Sequence, residues 1–409
     1  MPSIPHALMN EQADIAVGQR YNCQRPPELP TRWPLGIDRI KELWDSNAEG
    51  RLLAFLCSIA KNYEPHNMLS QYLLFGPRAF HILNPKNLEV VLSINFSDYG
   101  FGVRPAIFAP LLGRGIFTQE GAAWKHSREL LRKQFIRAQY QNLHQFCEHV
   151  DNLLAHVPES GVVDLQPLFF SLTLDTTTAL LLGRSVYSLR ASIDQDAENK
   201  EFSESFNIAQ EGLAKRFRIA PWHFLYNPPR FRRACRNVHR YVERYIEERK
   251  LLNGKATLED DSYGFIDQVS KESENMNALR DQLLNVLLAG RDTTACCLSW
   301  TFIYGQDAER FRPERWEGKE LANIGWAYFP FNGGPRQCLG EDFALMEVSY
   351  TVVRLLQACS EIALPDNEVN EPPGTERQTL TLVLSSADGC RVQLVRRQLN
   401  QKTTVEHCV

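Results

Sequence analysis

The stretch from Leu165 to Leu182 (LQPLFFSLTLDTTTALLL) is apolar almost all the way round the helix it should form. A helix with one apolar stripe can lie on a surface, but one without a polar face must be covered on every side. The chain therefore has to supply several further elements that wrap this one. With 409 residues it has the length to do so, as one large domain or as two or three ordinary ones. Its composition, 44% hydrophobic and 23% charged, is that of a soluble globular protein.

The wrapping elements read as mostly helical. Charged amphipathic helices are expected over Glu120–Arg137 and Gln141–His156, the second stopped by Pro158. Two more are expected at Phe202–Arg216 and Arg230–Leu252, joined by a loop rich in proline and aromatics. Asn277–Phe302 reads as a long helix with an apolar centre and Glu341–Ser360 as a further helix, whereas Tyr304–Pro335 shows no helical period. Strands are few. Tyr72–Phe75 and Phe80–Leu83 flank Gly76-Pro77 as a hairpin would, and Asn84-Pro85 then opens a helix over Lys86–Leu92. Thr379–Leu384 and Cys390–Val395 are expected to pair as closing strands. The fold class is thus mainly α with a small β-rich lobe. An extended segment over residues 1–35, marked by Pro26, Pro27, Pro30 and Pro34, leads into one domain over 36–409. Within it the β-rich part spans about 60–100, the α-rich body about 101–360 and the strand pair about 379–396.

Several function classes are excluded. A formal charge of −4 lacks the basic excess of a nucleic-acid binder. The basic run from Lys215 to Arg249 reads first as a solvated helix face, with peripheral contact to a membrane surface or an acidic partner as the alternative. The 10 cysteines show no C-x-x-C pair, and the adjacent Cys296 and Cys297 suit neither a zinc site nor a disulfide. Met1–Gln24 is polar and resembles neither a signal peptide nor a span, and no uninterrupted apolar run reaches the roughly 18 residues of a transmembrane helix.

One cysteine stands apart, in Phe331-Asn332-Gly333-Gly334-Pro335-Arg336-Gln337-Cys338-Leu339-Gly340. It sits just before the helix expected from Glu341, where free N–H groups and the helix dipole should lower a thiol's pKa and steady a metal-bound thiolate. Gly333, Gly334 and Gly340 would let the backbone approach a flat macrocycle, Arg336 could pair with a carboxylate on it, and Phe331 could pack on its face. The alternative is an ordinary buried cysteine in a Gly-Pro loop. A second cluster, Ala289-Gly290-Arg291-Asp292-Thr293-Thr294, puts glycine and paired threonines in mid-helix, where both are unfavourable. Ala289 and Gly290 would leave room beside the helix, and Asp292 with Thr293 would form an acid–hydroxyl pair able to relay protons. Against that stands a surface acid beside two packing threonines. Trp124 and Arg128, four apart, share one helix face and can point at one carboxylate.

The pattern Phe-x-x-Gly-x-Arg-x-Cys-x-Gly resembles the haem-binding signature of the cytochrome P450 family at every fixed position, and Ala289–Thr294 resembles its oxygen-activation motif. Trp124-x-x-x-Arg128 matches its propionate-facing helix, and Phe311-Arg312-Pro313-Glu314-Arg315-Trp316 its meander. Gly113–Thr118 and Asp164–Phe170 look like the fungal alkane and fatty-acid hydroxylase branch. The resemblance implies an α-rich haem-thiolate fold and insertion of one atom of O2 into a C–H bond of a long apolar substrate. Cys338 would be the iron ligand, and Trp124, Arg128 and Arg336 would hold the propionates. It also implies electrons from a flavin-containing NADPH-dependent reductase and a place on the cytoplasmic face of the endoplasmic reticulum membrane. Phe101, Phe108, Leu111, Phe206, Val286 and the turn near Leu382 are the candidate substrate lining.

The chain departs from the family between its two main motifs. Thr293 and Cys338 are only 338 − 293 = 45 residues apart, too few for the helices and strands that the family places there. Among the missing parts is the helix bearing a Glu-x-x-Arg pair. Glu309 and Arg312 spell that pattern, but Arg312 precedes Pro313, a position disfavoured in helices. Arg315 of the meander is then left without its partner. Two explanations stand: an exon skipped in the gene prediction, or a degenerate, non-catalytic remnant that holds haem weakly.

Overall fold

The computed structural model describes residues 13, 15–63, 66–72, 78–141, 143–190, 197–253, 265–272, 275–305, 323–365 and 376–397. The expected turn at Gly76-Pro77, the segment from Glu309 to the meander, and residues 1–12 lie outside them. Residues 15–20 are helical rather than extended, and the Pro-rich stretch after them runs along the first strand. There Ser70 N–H donates to the Pro27 carbonyl and Leu29 N–H to the Ser70 carbonyl, both at 2.9 Å.

Helices α1 (Ile37–Ala48) and α2 (Leu52–Asn62) precede the hairpin β1 (Met68–Tyr72) and β2 (Arg78–Ile82), antiparallel with Ser70 opposite Phe80. Then follow α3 (Pro85–Glu89), a π-turn at Val90–Ile94, α4 (Arg104–Leu112), α5 (Gly121–Gln141), α6 (Leu143–Ala155) and β3 (Ser160–Asp164). The body continues with α7 (Leu165–Leu182), α8 (Ala197–Arg218), α9 (Pro229–Asn253), α10 (Phe265–Glu272) and α11 (Met276–Gly305). The chain closes with α12 (Glu341–Ala358), β4 (Cys359–Ala363), β5 (Gln378–Leu380), β6 (Leu384–Ser386) and β7 (Arg391–Arg396).

Helix α7 is buried as its composition requires. Asp164 caps it, accepting from Gln166 N–H at 3.0 Å, and Gly183 ends it at φ 71°, a left-handed turn that glycine adopts without strain. Its polar residues are satisfied within the core. Thr173 and Thr178 donate back to the carbonyls four residues earlier, at 2.9 and 2.8 Å. Asp175 accepts from the Ser188 and Leu189 backbone, but burial still pushes its carboxyl up to about 6. On the other side α7 meets α11, with Phe169 stacked on Phe302 at 5.7 Å. Truncating Phe169 to alanine would cost about 3–5 kcal/mol.

The expected closing strand pair takes another form. Thr379–Leu384 is not one strand: it folds back on itself as β5–β6, with Leu380 opposite Leu384. Strand β7 instead runs between β3 and β4, Leu394 facing Gly161 on one side and Ile362 on the other. Val392 and Leu394 have no exposed surface and complete a core cluster with α6, α7 and the second half of α11. That burial decides the pairing. A second cluster joins the first half of α11 to α4, α8 and α9. Where α8 meets α9, Phe202 stacks on Tyr241 at 4.0 Å. Part of the basic run is paired on this surface, Arg244 with Glu198 and Arg249 with Asp267. By length and hydropathy α7 meets the criterion for a membrane-crossing helix, yet 72% of it is buried inside the fold.

Candidate active site

The cysteine loop is fixed by its backbone. Cys338 N–H donates to the Phe331 carbonyl at 2.9 Å, and Gln337 N–H to the Gly334 carbonyl at 3.1 Å. Gly334 has φ +65°, and a Cβ on it would come under 3.0 Å from the Leu92 carbonyl oxygen, which as backbone cannot yield. A Cβ on Gly333 would strike the Trp326 ring in the same way. Gly340, by contrast, has only ordinary contact with Phe135 and serves as the N-cap of α12.

Cys338 is exposed among the described residues, yet its thiol is pushed up, not down as its place before α12 led us to expect. Withdrawal from water by the surrounding atoms is the main cause, and the Glu341 carboxylate adds to it. The Gly340 N–H and the Arg128 guanidinium pull the other way but do not prevail. The Gly340 N–H at the start of α12 thus lowers the thiol's pKa by less than desolvation raises it.

Around this loop the structure gathers cations. The Arg336 guanidinium lies over Phe101 at 4.1 Å, Trp124 at 4.4 Å and Phe96 at 5.6 Å, and Arg128 lies over Trp124 at 5.9 Å. Arg336 donates to the Gln119 and Ile116 carbonyls at 3.0 and 3.4 Å. Burial lowers its pKa to about 10, and repulsion from Arg104 and Arg128 deepens the shift while Glu120 opposes it. Arg132 in turn repels Arg128. Four guanidinium groups thus share one region beside an exposed thiol, and the Glu120 carboxylate that opposes the Arg336 shift also accepts from Phe101 N–H at 2.7 Å. That surplus of positive charge fits a planar group with carboxylate arms. The pair Trp124 and Arg128 and the pair Arg336 and Cys338, more than 200 residues apart in sequence, are brought together; Arg104 and the aromatic wall of Phe96 and Phe101 were not picked out for this role by any motif.

The distal cluster on α11 divides its residues between two faces. Thr293 is exposed, its hydroxyl donating to the Ala289 carbonyl at 2.6 Å, and Cys297 one turn on is exposed as well. Asp292 is 1% exposed and turns the other way, accepting from Gln210 of α8, with the Arg291 guanidinium 3.3 Å away. Burial pushes its carboxyl up to about 6 despite Arg291. Asp292 and Thr293 are therefore neighbours in sequence but not a touching pair. Gly290 also has a packing role: a Cβ there would crowd the Thr177 hydroxyl of α7. Of the residues expected to line a substrate pocket, Leu111 and Phe206 have no exposed surface and pack in the core with Phe108 and Val286, while Phe101 belongs to the cation cluster.

An α-rich fold that sets a cysteine loop beside converging guanidinium groups is the frame of a haem-thiolate protein. The model of the cytochrome P450 family matches residues 43–305 and 303–387. A cytochrome P450 of Arthroderma benhamiae is 34% identical, covering 91% of this chain and 92% of its own length. Cytochrome P450 52A5 of Candida maltosa is 31% identical over 93% of each, and cytochrome P450 52A1 of Candida tropicalis 30% identical over 85% and 84%. Among solved structures, a cytochrome P450DA haem domain superimposes with a TM-score of 0.70 at 14% identity, covering 91% of this chain and 98% of that one. The chain belongs to the cytochrome P450 family: it is a haem-thiolate monooxygenase fold that works with O2, a substrate and a redox partner.

The same comparisons locate the missing segment. The family model breaks at 303–305, the end of α11, and resumes directly. The alignment to the Arthroderma protein spans 478 positions against the 409 residues of this chain, so at least 69 of them have no counterpart here.

Proposed function

We propose that this chain hydroxylates long apolar chains, n-alkanes or fatty acids, at a haem held by Cys338. The observation that carries the reading is the exposed Cys338 thiol next to the Arg104, Arg128, Arg132 and Arg336 cluster. The substrate class draws its support from the resemblance of Gly113–Thr118 and Asp164–Phe170 to the fungal branch, together with the fungal relatives.

Bound haem supplies dioxygen activation, with the thiolate donating electron density to the iron. The residues of the chain do the rest. Arg336 and Arg128, both over the Trp124 ring, would hold and neutralise the carboxylate arms. Gly333 and Gly334 let the loop pack against Trp326 and the Leu92 carbonyl, and Cys338 within it would supply the thiolate ligand. The exposed Thr293 hydroxyl, which donates to the Ala289 carbonyl, would accept and pass on a proton from the open side of α11. Asp292, held on the opposite face by Gln210, would have to turn from that contact before it could pass a proton to Thr293. Electrons come from a flavin-containing NADPH-dependent reductase at the cytoplasmic face of the endoplasmic reticulum.

The test is the reduced, carbon monoxide-bound difference spectrum of this chain expressed with a haem supply, followed by titration with a fatty acid. A thiolate-type band that the fatty acid perturbs is the expected result. A featureless spectrum would favour a non-catalytic remnant, the reading that the segment missing after α11 supports.

A further inference from the structure

Among the polar side chains of the first half of α11 that the chemistry above leaves unused are Asp281 and Asn285. Asn285 has no exposed surface, and its amide is fully engaged. Its Nδ2 donates to the Leu112 carbonyl at 2.9 Å and to the Asp281 carbonyl at 2.7 Å, and its Oδ1 accepts from the Phe117 N–H at 2.9 Å. One turn earlier, the Asp281 carboxylate accepts from the Arg114 N–H at 2.8 Å and is held by Arg280 at 2.7 Å. Together they grip the loop of residues 113–119 against the helix. The loop crosses at two glycines because nothing larger fits: a Cβ on Gly113 would come under 3.0 Å from the Asp281 carboxylate, and one on Gly115 under 3.0 Å from the Asn285 amide. Thr118 closes the loop from within, its hydroxyl donating to the Gly113 carbonyl at 2.8 Å and accepting from the Gly115 N–H at 2.9 Å.

The other side of this loop serves the cysteine loop. Its Ile116 and Gln119 carbonyls accept the Arg336 hydrogen bonds described above. Both acceptors are neutral, so they orient the guanidinium without spending its charge. The position of Arg336 is thus inherited from residues 116–119, and theirs from α11.

We propose that Asn285 is a positioning residue for Arg336: by pinning residues 113–119 to α11 it sets where that guanidinium meets a haem carboxylate. The inference rests on the role given to Arg336 under the proposed function. A merely structural role would loosen the fold without singling out the cysteine loop.

The experiment is amide hydrogen exchange on the full chain as purified. Asn285→Ala removes three hydrogen bonds and should speed exchange about tenfold over both 113–119 and 331–338. If the coupling runs through Arg336, the double variant with Arg336→Ala should exchange over 331–338 no faster than Arg336→Ala alone. Unchanged exchange over 331–338 in Asn285→Ala, or additive acceleration in the double variant, overturns the proposal. If Asn285→Ala does not fold, Gly115→Ala drives the same amide away from the loop side and must loosen the same two segments. A second readout is haem transfer to apomyoglobin, which Asn285→Ala should speed about tenfold and non-additively with Arg336→Ala. Coupled exchange in a chain that takes up no haem would sink the proposed function and leave the positioning role intact. A thiolate band with uncoupled exchange would do the reverse.

Discussion

Glu347 offers a sharp test of how far the packing of this fold governs its chemistry. It lies on α12, 2% exposed, with no hydrogen-bond partner for Oε1. It borders a cavity of about 10 Å³ shared with Phe146, His149, Thr176 and Phe343, room for one water at most. Burial pushes its carboxyl up to about 8 from an ordinary 4.5, and the Thr176 hydroxyl only partly opposes this. The folded protein then holds this proton more tightly than the unfolded chain does. Stability is full below pH 4.5, falls as pH rises, and levels off above pH 8. The shift corresponds to about 5 kcal/mol in total, of which about 4 kcal/mol is lost between pH 5 and 9. Part of that falls between pH 7 and 9, where Asp175 and Asp292, both near 6, have finished titrating. Glu347→Gln keeps the shape and cannot ionise. Urea unfolding across this range should show a flatter profile for the variant and a higher midpoint at pH 9. Profiles that run parallel from pH 5 to 9 would refute the argument, because they would mean the carboxyl ionises in place without penalty.

Three further outcomes are expected. Asp292→Asn should be more stable than the parent above pH 6, by up to about 3 kcal/mol, and should lose the fall in stability between pH 4 and 6; equal urea midpoints at pH 8 would contradict the raised carboxyl. Gly334→Ala combines a left-handed backbone, costing about 1–2 kcal/mol, with a clash against the Leu92 carbonyl, and should lower the melting temperature by several degrees; an unchanged melt would show that the loop can move aside. Thr293→Val should melt within about 0.5 kcal/mol of the parent because its side chain is exposed, while product formation falls; undiminished product would remove Thr293 from the proton path.

The order of helices was legible in the sequence because each carries its own period or cap. The all-apolar stretch 165–182 could only be interior, and Asp164 and Gly183 bound it. The site motifs were legible because Gly334 and Cys338 lie within one short run of the chain, joined by hydrogen bonds inside that run. The missing segment was legible too, since a spacing of 45 residues is a property of the chain alone. The pairing of β7 was not, because a run such as Arg391–Arg396 satisfies several partners equally until the core claims Val392 and Leu394.

What only the tertiary structure decided is direction and environment. Sequence put Asp292 beside Thr293, but the helix turns about 100° per residue, so one faces α8 and the other the open side. Sequence placed Cys338 before a helix N-terminus and implied a lowered pKa; desolvation and the Glu341 carboxylate outweigh the Gly340 N–H and Arg128. It assigned Arg336 a carboxylate to bind, yet where that guanidinium sits depends on carbonyls more than 200 residues earlier, held in turn by Asn285. Local pattern fixes which groups are present, because propensity and capping act over a few residues. Solvation and orientation are sums over neighbours from the whole chain, and exist only once it has folded.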